Sequence, residues 1–507
     1  MKIISSLLLL CMLQPWSAHA ATNSAAKPLT EEDVRWLNRL TYGIDGPTVA
    51  RYQAMGRKVF LDAQLRAGDD DEPPQLRTDL AHLDLLNQSL LQTLSDVDQE
   101  NRRINTLGSE DEKQTARKLQ NDAAGKMVYQ TSKRHLLRAL YAPAQLREQM
   151  VWFWDNHFSV FQGKANLRWS VADYEEHAIR PYALGNFRDL VMATLKHPAM
   201  LVYLDNAQSA GGKINENYAR ELLELHMLGV NGGYSQQDVQ ELARILTGVG
   251  VNTQSTSPRL KPEWQALYKR EDAFEFNPAR HDFGDKVFLG HEIKGSGWDE
   301  VEQAVDIIVK QPATARFISN KLALYFVSDT PPQPLVDRMT KTFERSNGDI
   351  AQVLRTMFMS REFNATLGSK FKDPMHYVIS AMRLAYNGKT VTNLKPVNNW
   401  LNALGEPLYG RLTPDGYGLR ERDWASSGQM SKRFEIARAI GGGSAGLFDS
   451  EDGSPPMAFG FPMLSNRLFY ETIDNVMSTP VKLALDKAAS QAEWNAYLLA
   501  SPDFMYR

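Results

Sequence analysis

The sequence contains a single cysteine, Cys11, which lies in an apolar segment near the N-terminus. If that segment is removed, the remaining chain has no thiol. This excludes disulfides, cysteine nucleophiles, cysteine-ligated zinc and iron–sulfur clusters. A chain without thiols suits an oxidising compartment such as the periplasm.

Long apolar runs are missing as well. Residues 3–13 are apolar, but this run is shorter than the ~20 residues that a membrane-spanning helix needs. Lys2 precedes the run, and "AHA" at 18–20 offers small residues for cleavage. The pattern predicts a secretion signal over residues 1–20, cleavage after Ala20, and a periplasmic or secreted protein without a transmembrane anchor.

An excess of positive charge is the third absence. The chain has 57 Lys and Arg residues against 60 Asp and Glu residues, which gives a formal net charge of −3. Nucleic-acid-binding proteins usually carry a basic face. We therefore expect no nucleic-acid partner.

Helical periodicity is present along nearly the whole chain, and one stretch alternates like a strand. In "AFEFNPARHDFGDKVFLGHEIKG" at 273–295, Phe274 and Phe276 share one side and "KVFLG" follows a turn. We predict a mainly α-helical fold, a multi-helix array with one small β-hairpin around residues 273–293. The length exceeds the ~250–300 residues of a single core. It predicts subdomains 21–250 and 251–507 within one continuous domain of about residues 30–507.

The segment "NENYARELLELHMLG" at 215–229 combines glutamates, an arginine and a histidine with leucines. At the ~100° per residue of an α-helix, Asn217, Glu221 and Glu224 share one face and His226 lies on the opposite side. Metal-binding helices place ligands three or four residues apart on one face. The motif is therefore not a metal site by itself.

Two interpretations of this helix stay open. Its apolar surface predicts burial, and buried glutamates must be paired, protonated or bound to a metal. Arg220 lies four residues from both Glu216 and Glu224, and could pair with them in a core helix without chemical function. Alternatively, Glu221 and Glu224 point together into a pocket that other segments complete.

Several long blocks resemble one bacterial family, the "domain of unknown function 1800" family. They are "LREQMVWFWDNHFSV" (146–160), "HPAMLVYLDNAQS" (197–209), the segment 215–248, "HDFGDKVFLG" (281–290) and "PATARFISNKLALYFVSDTPP" (312–332). The resemblance implies a large, mostly helical, exported protein without an established activity. It also implies a partner, a sulfatase-like exported protein encoded nearby.

Polar residues from four of these blocks define the candidate site, because pockets are usually assembled from separate segments. The catalytic candidates are Glu221, Glu224, His157 and His281, and the same four are the candidate ligands of a divalent metal. The binding candidates are Asp205, Asn206, Asn215, Glu216, Asn217, Arg220, His226 and Asp282.

These residue types fit two hydrolytic mechanisms. A divalent metal held by imidazoles and carboxylates could activate water, or two carboxylates could act without a metal, as in glycosidases. The first hypothesis is a metal- or carboxylate-dependent hydrolase or modifier of a cell-envelope or extracellular polymer. The alternative is a non-catalytic scaffold or polysaccharide-binding partner of the sulfatase-like protein.

Overall fold

The computed structural model describes residues 28–66, 68, 72–451 and 461–507. The predicted secretion signal at 1–20 lies outside these residues. The mainly α-helical fold is confirmed. No helix among the described residues is long and apolar enough to cross a membrane.

The α-helices are numbered in chain order. Helices α1 to α11 are Glu31–Leu40, Gly46–Arg66, Pro74–Ala81, Leu90–Thr106, Glu110–Tyr141, Gln145–His157, Val171–Asp173, Phe187–Lys196, Pro198–Tyr203, Glu216–Glu221 and Gln236–Ile245. Helices α12 to α23 are Pro262–Gln265, Trp298–Val309, Pro312–Phe326, Gln333–Arg345, Ile350–Phe358, Arg361–Ala365, Pro374–Tyr386, Lys395–Ala403, Ser427–Gly441, Arg467–Glu471, Thr479–Leu485 and Gln491–Ala500.

Five short strands form two antiparallel sheets. They are β1 (Val249–Val251), β2 (Lys269–Glu271), β3 (Phe274–Phe276), β4 (Lys286–Phe288) and β5 (His291–Ile293). The first sheet has the order β1-β3-β2, with Val249 opposite Phe276, and the second is the β4-β5 hairpin.

The predicted hairpin region is therefore β-structure, but its strands belong to two sheets and not to a single hairpin. Strand β3 pairs with β2 and β1, and it does not pair with "KVFLG". The partner strand β1 follows α11 directly and reads "VGV", which is too short to stand out in the sequence. The apolar positions of β3 and the phenylalanine and isoleucine of the β4-β5 hairpin are buried.

Two π-helices interrupt the α-helical pattern. The first, Tyr174–Ile179, continues α7, and the second, Leu222–Met227, continues α10. A π-helix has i→i+5 hydrogen bonds and often marks a functional segment. The first π-helix packs on α5 and α6, and the second packs on α14. Both belong to one apolar core that includes residues from Leu29 to Met505. The division at residue 250 stays a prediction.

Candidate functional site

The second π-helix changes which residues of the 215–229 segment share a face. The N–H of Leu228 donates to the carbonyl oxygen of Leu223 at 2.8 Å, an i→i+5 bond. The α-helical angles that place His226 opposite Glu221 therefore do not apply beyond Glu221. His226 is fully buried and Glu221 is partly exposed, and the divergence of the two side chains stays a prediction.

His157, at the end of α6, links the second π-helix to α14. Its Nδ1 accepts a hydrogen bond from Lys321 Nζ at 2.8 Å, and its Nε2–H donates to the carbonyl oxygen of His226 at 2.9 Å. These two partners fix His157 in one neutral tautomer. The imidazole is buried and stacks on Phe153.

The electrostatics of this group favour neutral side chains. Burial, and then the charge of Lys321, lower the pKa of His157 and take that of His226 to about 3. Burial also lowers the pKa of Lys321 to about 8, while Asp415 acts in the opposite direction. Lys321 is thus an amine that loses its proton near neutral pH, a property typical of functional lysines.

The carboxyl groups of Glu221, Glu224 and Asp415 lie near one another, and Asp415 follows Pro414, which the ring of His226 faces. Burial raises the pKa of Glu221, and the charges of Glu224 and Asp415 raise it further. Asp415 is paired with Arg411 at 3.0 Å. Among the described residues, neither Glu221 nor Glu224 has a hydrogen bond or an ion pair through its side chain. Uncompensated carboxylates of this kind are more typical of functional sites than of a core.

Arg220 pairs with only one of its two predicted partners. Its Nη2 contacts Glu216 at 3.0 Å and also donates to Gln236 at 2.9 Å. The Arg220 side chain is 40% exposed, so this network lies at the surface. The predicted pairing with Arg220 is therefore present for Glu216, but at the surface and not in a core, and Glu224 has no contact with Arg220 among the described residues.

The loop 411–418 covers the site and is anchored to α6. Asn156 accepts from the Tyr417 N–H at 2.5 Å and donates to the Tyr417 carbonyl oxygen at 3.1 Å. Gly416 has φ 76°, and a Cβ atom there would lie 2.1 Å from the Asn156 carbonyl oxygen. Only glycine therefore allows the loop to approach this closely. The ring of His226 faces the carbonyl oxygen of Pro414 in the same loop.

The asparagines predicted to bind a ligand instead hold the backbone around the site. Asn206 is buried and donates to two backbone carbonyl oxygens near β1, at 3.2 and 2.9 Å. Asn215 caps α10 and donates to the carbonyl oxygen of Asp205 at 3.0 Å. Asn217 donates to the carbonyl oxygen of Leu204 at 3.3 Å. These residues join the end of α9 to the start of α10.

His281 and Asp282 belong to a separate cluster, so the predicted convergence of His157 and His281 on one site was wrong. The Nδ1 of His281 contacts the carbonyl oxygen of Thr247 at 2.8 Å, and its Nε2 contacts Glu300 at 2.9 Å. Asp282 is paired with Arg244 at 2.9 Å. Both ring nitrogens of His281 are engaged, as are those of His157, which leaves neither imidazole free to bind a metal.

Sequence reasoning missed Lys321 and Asp415. Lys321 is the cation in the apolar C-terminal half of α14, which could have indicated a perturbed amine. Asp415 stands in "TPDGYG" and reads as an ordinary turn residue. Nothing in the local pattern shows that this turn covers the second π-helix.

A cavity of about 670 Å³ lies elsewhere, between residues 86–90, the first π-helix and β3. Asp173 in its wall contacts His177 at 2.8 Å and His197 at 2.9 Å. The Asp173–His177 pair matches the i,i+4 spacing in the sequence, and His197 is an addition. No residue of this wall belongs to the Glu221–Lys321 group.

One family model matches residues 35–506 of the chain, and its description is "Protein of unknown function (DUF1800)". The resemblance expected from the five sequence blocks is thereby confirmed over nearly the whole chain. No curated protein and no solved structure matches.

Proposed function

Because this chain belongs to the DUF1800 family of proteins of unknown function, its activity must be inferred from its own site, and we propose that it is a carboxylate-dependent hydrolase. Its substrate would be a polysaccharide of the cell envelope or of the extracellular space. The observation that carries this proposal is the group of Glu221, Glu224 and Asp415, of which two carboxyl groups have no partner among the described residues.

The raised pKa of Glu221 gives the two glutamates different roles. Glycoside hydrolysis needs one carboxyl group that holds a proton and one that is ionised. Glu221 would donate its proton to the glycosidic oxygen as that bond breaks. Glu224, as carboxylate, would take a proton from the water that attacks the anomeric carbon. Neighbouring carboxylates that push a pKa upward are a recurrent way to prepare such an acid.

The surroundings of the two glutamates supply further functions. Lys321, held by His157, lies near the carboxylate of Asp415 and becomes neutral above about pH 8. Tyr234 lies near Glu224, and Tyr203 lies near Glu221 and Asp415. Tyrosine rings offer both an apolar face and a hydroxyl group, which suits a sugar ligand.

The geometry favours this mechanism over the metal-dependent one. Of the four predicted ligands, His157 and His281 have no free ring nitrogen and lie in different clusters. Glu221 and Glu224 alone are fewer than the three protein ligands typical of a catalytic zinc site.

Export to the periplasm or beyond is part of the proposal. It rests on the signal pattern at residues 1–20 and on the absence of cysteine after Cys11. Mass spectrometry of the protein recovered from the producing cell's periplasm or medium would check it. A chain beginning at Ala21 is expected, and a chain that retains residues 1–20 would contradict export.

The test of the activity compares three variants, each with one glutamate of the same helical segment replaced by glutamine. Wild type, Glu221→Gln, Glu224→Gln and Glu216→Gln would be incubated with envelope and extracellular polysaccharides, and new reducing ends would be measured. We expect about 10²–10⁴-fold slower cleavage for the first two variants. The control Glu216→Gln removes a carboxylate that is paired with Arg220, and it should stay close to wild type.

Equal rates in all four proteins would overturn the proposal. The alternative, a polysaccharide-binding scaffold for a sulfatase-like exported partner, predicts binding of the polymer without new reducing ends. It also predicts equal binding by wild type and by the Glu221 and Glu224 variants.

A further inference from the structure

A second group of ionisable side chains lies deep in the core, away from the loop 411–418. His135 of α5, Asp155 of α6 and Glu175 of the first π-helix meet there, and all three are buried. One potential ligand atom of each lies within 4.8 Å of the other two. Among the described residues, this is the only such set of three. Three elements distant in sequence thus place one imidazole and two carboxyl groups around a common point.

Asp155 has no donor to satisfy it in this group other than a proton shared with Glu175. The residue is only 8% exposed, and neither of its carboxylate oxygens has a hydrogen-bond partner among the described residues. Glu175 faces it, but two ionised carboxylates have no proton to donate to each other. Burial and the nearby Glu175 raise the pKa of Asp155 well above its usual range. A buried carboxylate without a partner is costly, so either a proton or a cation must lie between the two groups.

Ion pairs surround the group but do not include Asp155. Arg180 contacts Glu148 at 2.8 Å and Glu175 at 3.6 Å, and Arg138 contacts Glu72 at 2.7 Å. Glu176 is paired with Arg134 and Arg138. Among the described residues, Asp155 is the carboxylate of this region that has no ion pair, and a bound cation would supply one.

The donor atoms suit such an ion. The distance from His135 Nδ1 to Glu175 Oε2 is 2.8 Å; an ion with tetrahedral bonds of ~2.0–2.2 Å would replace this hydrogen bond and widen the distance to about 3.3–3.6 Å. We propose that His135, Asp155 and Glu175 bind a divalent transition-metal ion of the Zn²⁺ or Mn²⁺ type. Imidazole and carboxylate together favour these ions over Mg²⁺ or Ca²⁺, which prefer oxygen ligands alone.

The hydroxyl of Tyr409 donates to Glu175 and would orient this ligand from outside the first coordination shell. Binding requires Asp155 and Glu175 as carboxylates and His135 as neutral imidazole with Nδ1 free. Any protons held by the group are then released to water.

The role of this ion would be structural, because all three ligands are buried and no substrate can reach them. It would fasten α5, α6 and the first π-helix together. Asp155 is followed by Asn156, which anchors the loop 411–418, and by His157, which holds Lys321. Loss of the ion would therefore loosen the support of the Glu221 site without removing a residue from it.

Metal content tests the proposal directly. Wild type, Asp155→Asn and the double variant Glu221→Gln with Glu224→Gln would be purified without chelator and analysed by inductively coupled plasma mass spectrometry. We expect about one ion per chain in wild type and in the double variant, and less than about a tenth in Asp155→Asn. The double variant is the matched control, since it removes two carboxylates from the other π-helical segment.

A second measurement needs no variant. Wild type would be treated with 1,10-phenanthroline and EDTA, freed of chelator, and melted alone and with ZnCl₂ or MnCl₂ added. Metal binding predicts a lower Tm after chelation and recovery with one of the two ions. A chain without metal, whose Tm neither ion changes, would overturn the proposal and show that Asp155 and Glu175 share a proton. Metal lost from the double variant and kept by Asp155→Asn would overturn it as well.

Discussion

The two π-helices carry similar residues in opposite electrostatic settings. Each has a glutamate two positions before a histidine, Glu175 and His177 in the first and Glu224 and His226 in the second. In the first, Glu175 is paired with His135, and Glu176 contacts three arginines. In the second, Glu224 has no side-chain partner among the described residues, and both ring nitrogens of His226 lack a partner within hydrogen-bond geometry.

The difference arises from the neighbouring elements and not from the helices themselves. Helix α5 brings Arg134 and Arg138 against the first π-helix. The second faces α14 and the loop 411–418, whose cations Lys321 and Arg411 are bound to His157 and Asp415. One local geometry thus serves a paired core, where charges stabilise the fold, and an unpaired site, where charges remain available for chemistry.

The largest loss of stability is expected when a buried ion pair of the first π-helix is removed. Arg180→Met removes the cation that contacts Glu148 and approaches Glu175 in the core. Breaking a buried ion pair leaves an uncompensated charge and costs about 3–5 kcal/mol. Urea unfolding at pH 7 would measure the loss. A cost below about 1 kcal/mol would mean that the first π-helix does not depend on its charge pairs.

Lys321 predicts a stability change in alkaline solution. Its folded-state pKa of about 8 lies below the unfolded value of ~10.4. The folded state therefore binds fewer protons between these values, and stability rises from pH 8 towards pH 10. We expect a rise of about 1–3 kcal/mol in wild type relative to Lys321→Met, measured by urea unfolding at each pH. Parallel curves for the two proteins would show that Lys321 keeps an ordinary pKa.

On acidification, the stability contributions of Glu176 in the first segment and of Glu221 in the second should change in opposite directions. Burial would raise the pKa of Glu176, but Arg138, Arg180 and Arg134 outweigh it and lower this pKa. Its stabilisation is present above the unfolded pKa of ~4.3 and is lost as the pH falls through the folded value. Glu176→Gln should thus cost about 1–2 kcal/mol at pH 7 and less on acidification.

The raised pKa of Glu221 gives the reverse pattern. Ionised Glu221 lowers stability at pH 7, and this penalty disappears as the pH falls through its folded pKa towards the unfolded value of ~4.3. Glu221→Gln should therefore be slightly more stable than wild type at pH 7 and equal to it near pH 4. Unfolding curves between pH 4 and pH 7 would compare Glu176→Gln and Glu221→Gln with wild type. If both variants changed the free energy of unfolding in the same direction, the contrast between the two segments would be wrong.

The smallest effect is expected from Arg220→Met, the counterpart of Arg180→Met in the unpaired segment. Arg220 is paired with Glu216 at the surface, where such pairs contribute about 0–1 kcal/mol. The same unfolding experiment applies. A loss comparable to that of Arg180→Met would show that the charges of the second segment also hold the core.

Much of the fold could be predicted from the sequence, because its signals are local. The helical periodicity of residues 110–141 corresponds to α5, and that of residues 298–358 corresponds to the four helices α13 to α16. Ser235 caps α11 through a capping box with Asp238, and Gly229 ends the second π-helix with φ 80°. Each of these features depends on side chains within about one turn of the position that they control.

The site was predictable only in part, because its geometry depends on contacts distant in sequence. Glu221 and Glu224 were predicted to share one face, and they lie near each other. His157 contacts the backbone of His226, while His281 lies in another cluster. The π-helical winding after Glu221 has no signal in the periodicity of "ELLELH". Asp415 and Lys321 reach the site through the packing of a loop and a helix that the sequence pattern does not bring together.

The most direct test of a functional second π-helix needs no substrate: the free energy of unfolding of the double variant Glu221→Gln with Glu224→Gln at pH 7. Removal of two unpaired like charges predicts stability equal to wild type or higher by about 0.2–0.5 kcal/mol. A loss of about 2 kcal/mol or more would mean that the two carboxylates are satisfied partners in the core. That result would contradict their role as a free catalytic pair.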